Sequence, residues 1–259
     1  MSGHGRSHVW TAGVIAAGRG ERLQEGRRRR LKPLVSVGGR TLVERVLESL
    51  AEAAPSEVVI IVNDASVAVK DHVARRSWPF ALRWIVETTP SSMHSFLRVV
   101  ETLAAGRAAG PFLLSTVDTI APRGAFGGFA RAAAFADADV TLAIAPPAAD
   151  EKPLLVEVGG GRAARRRAGA GRAPLDVTAI GAKVKGASWA TAGYYAVRPS
   201  VLREAAAARR DNLTALRTFL ERLVIRGYRV AAVPVAAGVD VDRPADVDAA
   251  EAFLRQAGA

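Results

Sequence analysis

The chain of 259 residues contains no cysteine and few aromatic residues. The absence of cysteine excludes disulfide bonds and thiolate zinc sites, so the sequence does not require an oxidising compartment. Apolar runs are short as well, and none approaches the ~18 residues that are needed to cross a bilayer. The N-terminal sequence lacks the apolar core of a signal peptide. We therefore expect a cytoplasmic protein that does not enter a membrane.

Lysine is also scarce, although the chain is strongly basic. Only five of the 36 basic residues are lysines, and the formal net charge is +11. Such an excess of arginine fits either a solvated surface without a charged ligand or an anionic partner, whether nucleic acid or a phosphorylated small molecule. The aromatic residues, 6% of the chain, do not interleave with the arginines as base-stacking residues would. The sequence thus argues against nucleic acid as the partner.

Short apolar segments alternate with amphipathic helices in the first half of the chain. The segments "VWTAGVIAAG", "EVVIIVND", "ALRWIVET" and "PFLLSTVD" are typical of buried strands. Thr41 and Glu44 form a capping box before an amphipathic helix. This alternation predicts an α/β fold, a single-domain three-layer sandwich in which helices cover both faces of a mostly parallel, mixed sheet.

The second half is less regular but contains no repeat and no linker. "DVTLAIAPP" and "YRVAAVPVA" are typical of strands, and two more strands flank a loop rich in glycine and arginine. We expect a polar tail at residues 1–8 and one domain over residues 9–259.

A glycine turn follows the first strand. Gly18, Arg19 and Gly20 allow the backbone to turn tightly and to present N–H groups to an anion. The turn is not a dinucleotide-binding motif, because Leu23 stands where that motif has its third glycine, and the chain lacks the Gly-Lys-Ser/Thr of a P-loop. On its own, the turn is equally compatible with an ordinary connection.

Residues 13–50 carry a more specific pattern. The order Ala-Ala-Gly-x-Gly-x-Arg-Leu, a short loop, Lys-Pro-Leu, Val-x-Gly-Gly and a helix resembles the nucleotidyltransferase family that includes sugar-1-phosphate nucleotidyltransferases and molybdenum cofactor guanylyltransferases. Glu21 and Leu31 depart from the threonine or serine and the proline of many members, but neither change removes a cation. The resemblance implies a Rossmann-like fold of the GT-A type.

The resemblance also implies roles for the glycine turn and its cations. Arg22 is expected on the departing pyrophosphate and Lys32 near the α-phosphate, where cations on a preorganised loop stabilise the transition state. The residues expected to hold a nucleoside triphosphate are Ala16, Ala17, Gly18, Arg19 and Gly20.

Carboxylates for a magnesium ion are available at two places in the sequence. Mg²⁺ usually takes one or two carboxylates together with phosphate oxygens and water. Asp118 ends the strand "PFLLSTVD", where α/β sheets bind ligands, although a turn or capping role would also suit an aspartate there. The segment "VDVDRPADVD" resembles the family's Asp-x-Asp-Thr-Pro-x-Asp. That resemblance implies Asp242 as the second ligand of Mg²⁺, with Asp240 as the alternative.

The segment "TTPSSMHSF" follows the third strand, where family members contact the base and ribose. Ser91, Ser92 and His94 are the candidates for nucleotide binding, and a helix N-cap is the simpler role for either serine.

The acceptor side is implied by "ATAGYYAV", which resembles the family's Asn-Ala-Gly-Ile-Tyr. Thr191 and Gly193 are the expected contacts of the acceptor, together with Lys183, for which Lys152 is the competing choice.

The expected function is transfer of a nucleoside monophosphate from a nucleoside triphosphate to a phosphorylated small-molecule acceptor, with Mg²⁺ as cofactor and release of pyrophosphate. The acceptor that the resemblance favours is a sugar 1-phosphate. The first alternative is a guanylyl- or cytidylyltransferase for a non-sugar acceptor such as molybdopterin or a phosphorylated alcohol. The second, motivated by the arginine runs, is a non-catalytic nucleic-acid or regulatory binding protein.

Overall fold

The structure, a computed structural model, describes residues 9–18, 31–106, 110–147, 153–159, 174–181 and 184–257. The strands are β1 (Thr11–Ala16), β2 (Ser36–Val37), β3 (Arg40–Thr41), β4 (Glu57–Val62), β5 (Ala81–Val86), β6 (Phe112–Thr116), β7 (Thr119–Ile120), β8 (Val140–Ala145), β9 (Leu155–Val158), β10 (Leu175–Ile180), β11 (Trp189–Val197), β12 (Val230–Pro234) and β13 (Val239–Asp240). The α-helices are α1 (Leu42–Ala51), α2 (Ala68–Ala74), α3 (Ser92–Ala105), α4 (Ala125–Ala133), α5 (Ala205–Arg210), α6 (Leu216–Ile225) and α7 (Pro244–Ala257). Short 3₁₀ helices span Lys32–Leu34, Asp64–Ser66 and Pro199–Glu204.

Nine of the strands form one mixed sheet in the order β5-β4-β1-β6-β11-β8-β12-β10-β9. The first-half strands β5, β4, β1 and β6 are parallel neighbours, so their carboxyl ends meet at one edge of the sheet. From β11 onwards the pairs are antiparallel, except for β12 with β8. The predicted α/β fold with a mixed sheet is confirmed, and its parallel part coincides with the regular first half of the sequence.

The second half of the sheet closes on itself. Strand β9 pairs with β10 and also with β11. Since β10 pairs with β12, β12 with β8, and β8 with β11, these five strands form a closed ring. Because β11 also pairs with β6 in the antiparallel direction, the beginning of β11 lies beyond the carboxyl end of β6.

Two apolar clusters lie on opposite faces of the sheet. Helices α1, α2, α4 and α7 contribute to the cluster on one face, while α3, α5 and α6 contribute to the cluster on the other. Side chains at helical spacing supply both clusters; Phe96 of α3 and Phe219 of α6, for example, are fully buried with ring centroids 6.0 Å apart. Burial of these stripes accounts for the three layers.

Local signals in the sequence located most element ends. The capping box at Thr41 and Glu44 is present and begins α1. The helix predicted from Asn212 to Arg226 instead spans Leu216–Ile225, with Ala215 as an extended N-cap. Asn212 has a φ of +52°, in the left-handed region, and so cannot belong to it. The sequence interpretation did not include α4, which starts after Gly124 and is capped from a distance by Glu52, whose carboxylate accepts from the backbone N–H groups of Gly124 and Gly127.

Candidate active site

Three predicted site residues from distant parts of the chain lie in direct contact. Lys32 begins a 3₁₀ helix, Asp118 follows β6, and Asp242 follows β13. The ammonium of Lys32 donates a hydrogen bond to Oδ2 of Asp118 at 2.7 Å and another to Oδ1 of Asp242. The side chains are 11%, 25% and 30% exposed in that order, so water reaches the carboxylates but little of the lysine.

The charges of this cluster stabilise one another. Burial opposes the ammonium of Lys32, but Asp118 and then Asp242 outweigh burial and raise the pKa of Lys32 above its usual value. Burial likewise opposes the ionised form of Asp118, yet the charge of Lys32 outweighs it and holds the pKa of that carboxyl below its usual value. Lys32 and Asp118 thus each favour the charged form of the other.

Asp240, the alternative to Asp242, has a different partner. The pairing of β13 with β7 brings Asp240 beside Thr119, whose hydroxyl donates to Oδ1 of Asp240 at 2.7 Å. Although Asp240 keeps an exposed surface, desolvation by the surrounding protein, and then the charge of Asp118, raise the pKa of Asp240 to about 6. Asp242 therefore accepts a hydrogen bond from Lys32, whereas Asp240 accepts one from Thr119.

The raised pKa of Asp240 predicts a pH-dependent effect of Asp240→Asn on stability. A carboxyl whose pKa rises on folding stabilises the folded state while protonated, and that contribution is lost as pH rises from about 4 through about 6. Without metal, the variant should therefore melt at a higher temperature than the wild type at pH 8, with a smaller difference at pH 5. Melting curves in EDTA test this, with the exposed Asp248→Asn as control. An equal difference at both pH values would contradict it.

A cavity of about 470 Å³ opens beside Lys32 and Asp118. It lies at the carboxyl ends of β1 and β6, against the beginning of α3, where doubly wound sheets bind ligands. Its lining residues are Ile15, Ala17, Gly18, Lys32, Thr88, Thr89, Pro90, Ser91, Ser92, Ser95, Thr116, Val117 and Asp118. A second cavity of about 630 Å³ lies between β9, β10 and α6. None of the predicted site residues that the structure describes lines this cavity. The chemistry of the cluster thus singles out the smaller cavity.

The serines predicted to read the nucleotide line this cavity, yet their hydroxyls already have partners. The hydroxyl of Ser91 caps α3 and lies 2.8 Å from Nδ1 of His94, while that of Ser92 accepts from the backbone N–H of Leu216 at 3.0 Å. The N-cap alternative thus describes Ser91 correctly. Two other hydroxyls on the cavity wall, those of Thr89 and the buried Ser95, are hydrogen-bonded to each other at 2.6 Å.

Asn63 supports the glycine turn and was not singled out from the sequence. It follows β4, is buried, and donates from Nδ2 to the carbonyl of Ala17 at 3.1 Å and to that of Gly18 at 3.5 Å. The signal was available, since Asn63 follows a buried parallel strand just as Asp118 does. Ala16, the remaining described residue of the predicted turn, is buried at the end of β1.

Gly193 lets β11 approach β7. Its φ is +78°, and a Cβ built on it would lie 1.9 Å from Oγ1 of Thr119, the hydroxyl that holds Asp240. Thr119 thus occupies the space into which a side chain at position 193 would project. Thr191, on the same strand, donates its backbone N–H to the carbonyl of Leu154 at 3.1 Å.

Gly193→Ala should destabilise the protein more than a glycine substitution with the same backbone angle. Gly227 also has a φ of +78°, but nothing lies within 4 Å of an added Cβ. Gly227→Ala should cost about 1–2 kcal/mol for the left-handed backbone alone, and Gly193→Ala about 1–3 kcal/mol more because Thr119 must move. Urea unfolding of the two variants measures the difference. Equal losses of unfolding free energy would show that Thr119 adapts without cost.

Some predicted residues lie outside the described part of the chain: Arg19, Gly20, Arg22, Lys152, Lys183 and the tail at residues 1–8.

In the part that is described, no group of three or more His, Cys, Asp or Glu side chains could hold a metal ion. Asp118 and Asp242 nevertheless fit a Mg²⁺ site that is shared with phosphate oxygens, because such sites use one or two carboxylates and these two converge on one cation. No helix within the described ranges is long and apolar enough to cross a membrane.

The mixed sheet and the cluster of Lys32, Asp118 and Asp242 define an α/β protein with a charged cluster beside a cavity at the carboxyl ends of its strands. The sequence pattern of the MobA-like NTP transferase domain matches residues 12–226. The chain therefore belongs to this family of nucleotidyltransferases, and the resemblance noted over residues 13–50 is confirmed.

Two relatives match shorter parts of the chain. The bifunctional protein GlmU of Thermobifida fusca is 32% identical over 114 residues, which are 43% of this chain and 23% of GlmU. The CMP-5'-(3-aminopropyl)phosphonate synthase of Streptomyces rubellomurinus is 34% identical over 86 residues, which are 33% of this chain and 14% of the synthase. The matched segments thus span less than a quarter of the length of either relative.

Solved structures match nearly the whole fold. The inositol-1-phosphate CTP transferase of T. maritima superposes with a TM-score of 0.73 at 17% identity, over 92% of this chain and 91% of that one. An apo UDP-glucose pyrophosphorylase superposes with a TM-score of 0.74 at 13% identity, over 96% of this chain and 99% of that one. At these identities, the comparisons establish the fold and confirm the predicted architecture.

Proposed function

We propose that this protein transfers a nucleoside monophosphate from a nucleoside triphosphate to a phosphorylated acceptor, a sugar 1-phosphate, and releases pyrophosphate. The observation that carries the proposal is the contact of Lys32 with two carboxylates at the wall of a cavity next to Ala17 and Gly18. A cation and a pair of Mg²⁺ ligands at a glycine turn are the groups that nucleotidyl transfer needs.

In the proposed reaction, a phosphate oxygen of the acceptor attacks the α-phosphorus in line. The bond from the α-phosphorus to the bridging oxygen breaks, and both electrons of that bond leave with pyrophosphate. An ionised phosphate is already a nucleophile, so no side-chain base is required. The triphosphate would occupy the cavity of about 470 Å³, with its phosphates at Gly18 and Lys32.

Lys32 would neutralise charge that develops on the phosphate oxygens, and Arg22 would do the same for the departing pyrophosphate. Asp118 and Asp242 would hold Mg²⁺, which, when bound, supplies positive charge to the phosphate oxygens. Asn63 fixes the start of the glycine turn through its bonds to Ala17 and Gly18, so the backbone there is oriented before a ligand arrives.

A second acceptor class is supported by the comparisons. A structural neighbour is described as an inositol-1-phosphate CTP transferase, and a sequence relative as the synthase of a CMP-phosphonate. Cytidylyl transfer to a phosphorylated alcohol or a phosphonate is therefore the alternative within the same chemistry.

A thermal-shift screen of ATP, CTP, GTP and UTP with Mg²⁺ identifies the triphosphate, because a ligand that binds only the native state raises the melting temperature. Pyrophosphate release from that triphosphate is then measured with sugar 1-phosphates, inositol 1-phosphate and a phosphonate as acceptors. Release only with the second and third would select the alternative. Salt-sensitive binding to duplex DNA without turnover on any acceptor would instead favour a non-catalytic nucleic-acid-binding protein.

A further inference from the structure

The ammonium of Lys32 occupies the space between the two carboxylates that the proposed function assigns to Mg²⁺. It bonds to Asp118 at 2.7 Å and to Asp242, which are 86 and 210 positions away in sequence. One lysine thus joins the end of β6 to the segment after β13. The contact is shielded, since only 11% of the lysine side chain is exposed.

The ammonium of Lys32 and a divalent cation cannot both bind Oδ2 of Asp118 and Oδ1 of Asp242 at the same time. Mg²⁺ binds carboxylate oxygens at about 2.0–2.1 Å, so a metal held by Oδ2 of Asp118 and Oδ1 of Asp242 would need the space that the ammonium fills. Two cations in that space would also repel each other strongly at low exposure to water. A metal can use these two oxygens only after the lysine has left them.

Neither ligand alone makes this exchange favourable. If a metal displaced the lysine in the absence of triphosphate, a largely buried ammonium would lose both of its carboxylate partners. If a triphosphate drew the lysine away in the absence of metal, Asp118 and Asp242 would lose the ammonium that they share. When both bind, each charge obtains a new partner, because Lys32 also lines the cavity beside Gly18, where the phosphates would lie.

We propose that Lys32 is a stand-in cation, which holds Asp118 and Asp242 together in the free protein and moves to the triphosphate when a divalent metal takes its place. Metal and triphosphate then bind with positive coupling, and each binds weakly alone. This inference rests on the proposed function for the identity of the two ligands, but the exchange of Lys32 for metal can be measured without turnover.

The first test is Mn²⁺ binding to the full chain without nucleotide, followed by the paramagnetic signal of free Mn²⁺. Lys32→Met removes the competing ammonium and nearly preserves the length of the side chain. The variant should bind Mn²⁺ about 5- to 150-fold more tightly than the wild type, the usual range of coupling between two ligands. Lys70→Met, which removes an exposed lysine of α2, is the matched control and should bind as the wild type does. Equal affinities of Lys32→Met and wild type would overturn the inference.

The second test uses the wild type and so does not depend on the folding of a variant. The chain has five lysines, so protein labelled with ¹³C at the lysine Cε should give five resolved NMR signals. Mg²⁺ at the high concentration that its weak binding without triphosphate demands should shift the signal of Lys32 and leave that of Lys70 in place. A metal that binds by calorimetry without moving the Lys32 signal would overturn the inference even if turnover is normal. Conversely, Mg²⁺ could shift the Lys32 signal in a protein that releases no pyrophosphate with any acceptor. That result would contradict the proposed function but support the exchange of Lys32 for metal.

Discussion

Lys32→Ala should lower turnover by a factor of about 100 or more, or about 2.7 kcal/mol of transition-state stabilisation. The ammonium is the one cation of the described cluster at the cavity wall, and a nucleotidyl transfer depends mainly on charge placed beside the phosphate oxygens. The measurement is kcat at saturating triphosphate, acceptor and Mg²⁺, which separates loss of chemistry from loss of binding.

Lys70→Ala is the control for Lys32→Ala, because it removes the same side chain from the exposed face of α2. It should leave kcat unchanged. Circular dichroism and a melting curve establish that Lys32→Ala still folds, since the change leaves Asp118 and Asp242 without their shared ammonium. A folded Lys32→Ala protein with near-normal kcat would refute the role given to this lysine.

Asp118→Ala should also reduce turnover by a factor of about 100 or more. The carboxylate is the less exposed of the two proposed Mg²⁺ ligands, at 25% against 30%, and its pKa is held below the usual value by Lys32. The concentration of Mg²⁺ that gives half-maximal rate should rise as well. Turnover measured against Mg²⁺ concentration gives both quantities.

Asp118→Asn is the matched variant for this test. The amide can still accept a hydrogen bond from Lys32 but supplies no negative charge, so a loss of rate shared by both variants reports on the charge. If Asp118→Asn worked as well as the wild type while Asp118→Ala did not, the aspartate would only support Lys32. Such a result would remove Asp118 from the proposed metal site.

The sequence predicted the parts of the site that depend on one strand and its immediate continuation. Lys32 stands in a family-like segment, and Asp118 follows a buried parallel strand, a position where sheets bind ligands. The bond between Thr119 and Asp240 could not be predicted, because it depends on pairing between two-residue strands 121 positions apart. Strands that short have no periodicity from which register can be read.

Sequence patterns could not predict the packing around Gly193 either. The motif indicates that a glycine is needed, but only the three-dimensional structure shows that the hydroxyl of Thr119 is the reason. Asn212 is different, because an asparagine is a local signal for the left-handed residue that ends a helix, and here it follows α5. The contact at Gly193 is a tertiary effect, whereas the break at Asn212 could have been predicted from the residue type.

Closure of the ring β11-β8-β12-β10-β9 leaves β5 as the one strand of the nine-stranded sheet, among those the structure describes, with a single neighbour. A ring exposes no row of unpaired backbone groups, whereas an edge strand offers such a row to other chains. On β5, Arg83 lies 3.4 Å from Glu57 of the neighbouring strand, and charges at an edge disfavour further pairing. Strand β5 is thus the one edge through which this sheet, as far as the structure describes it, could aggregate edge to edge, and its charges disfavour such pairing. It lies at the end of the sheet remote from the ring.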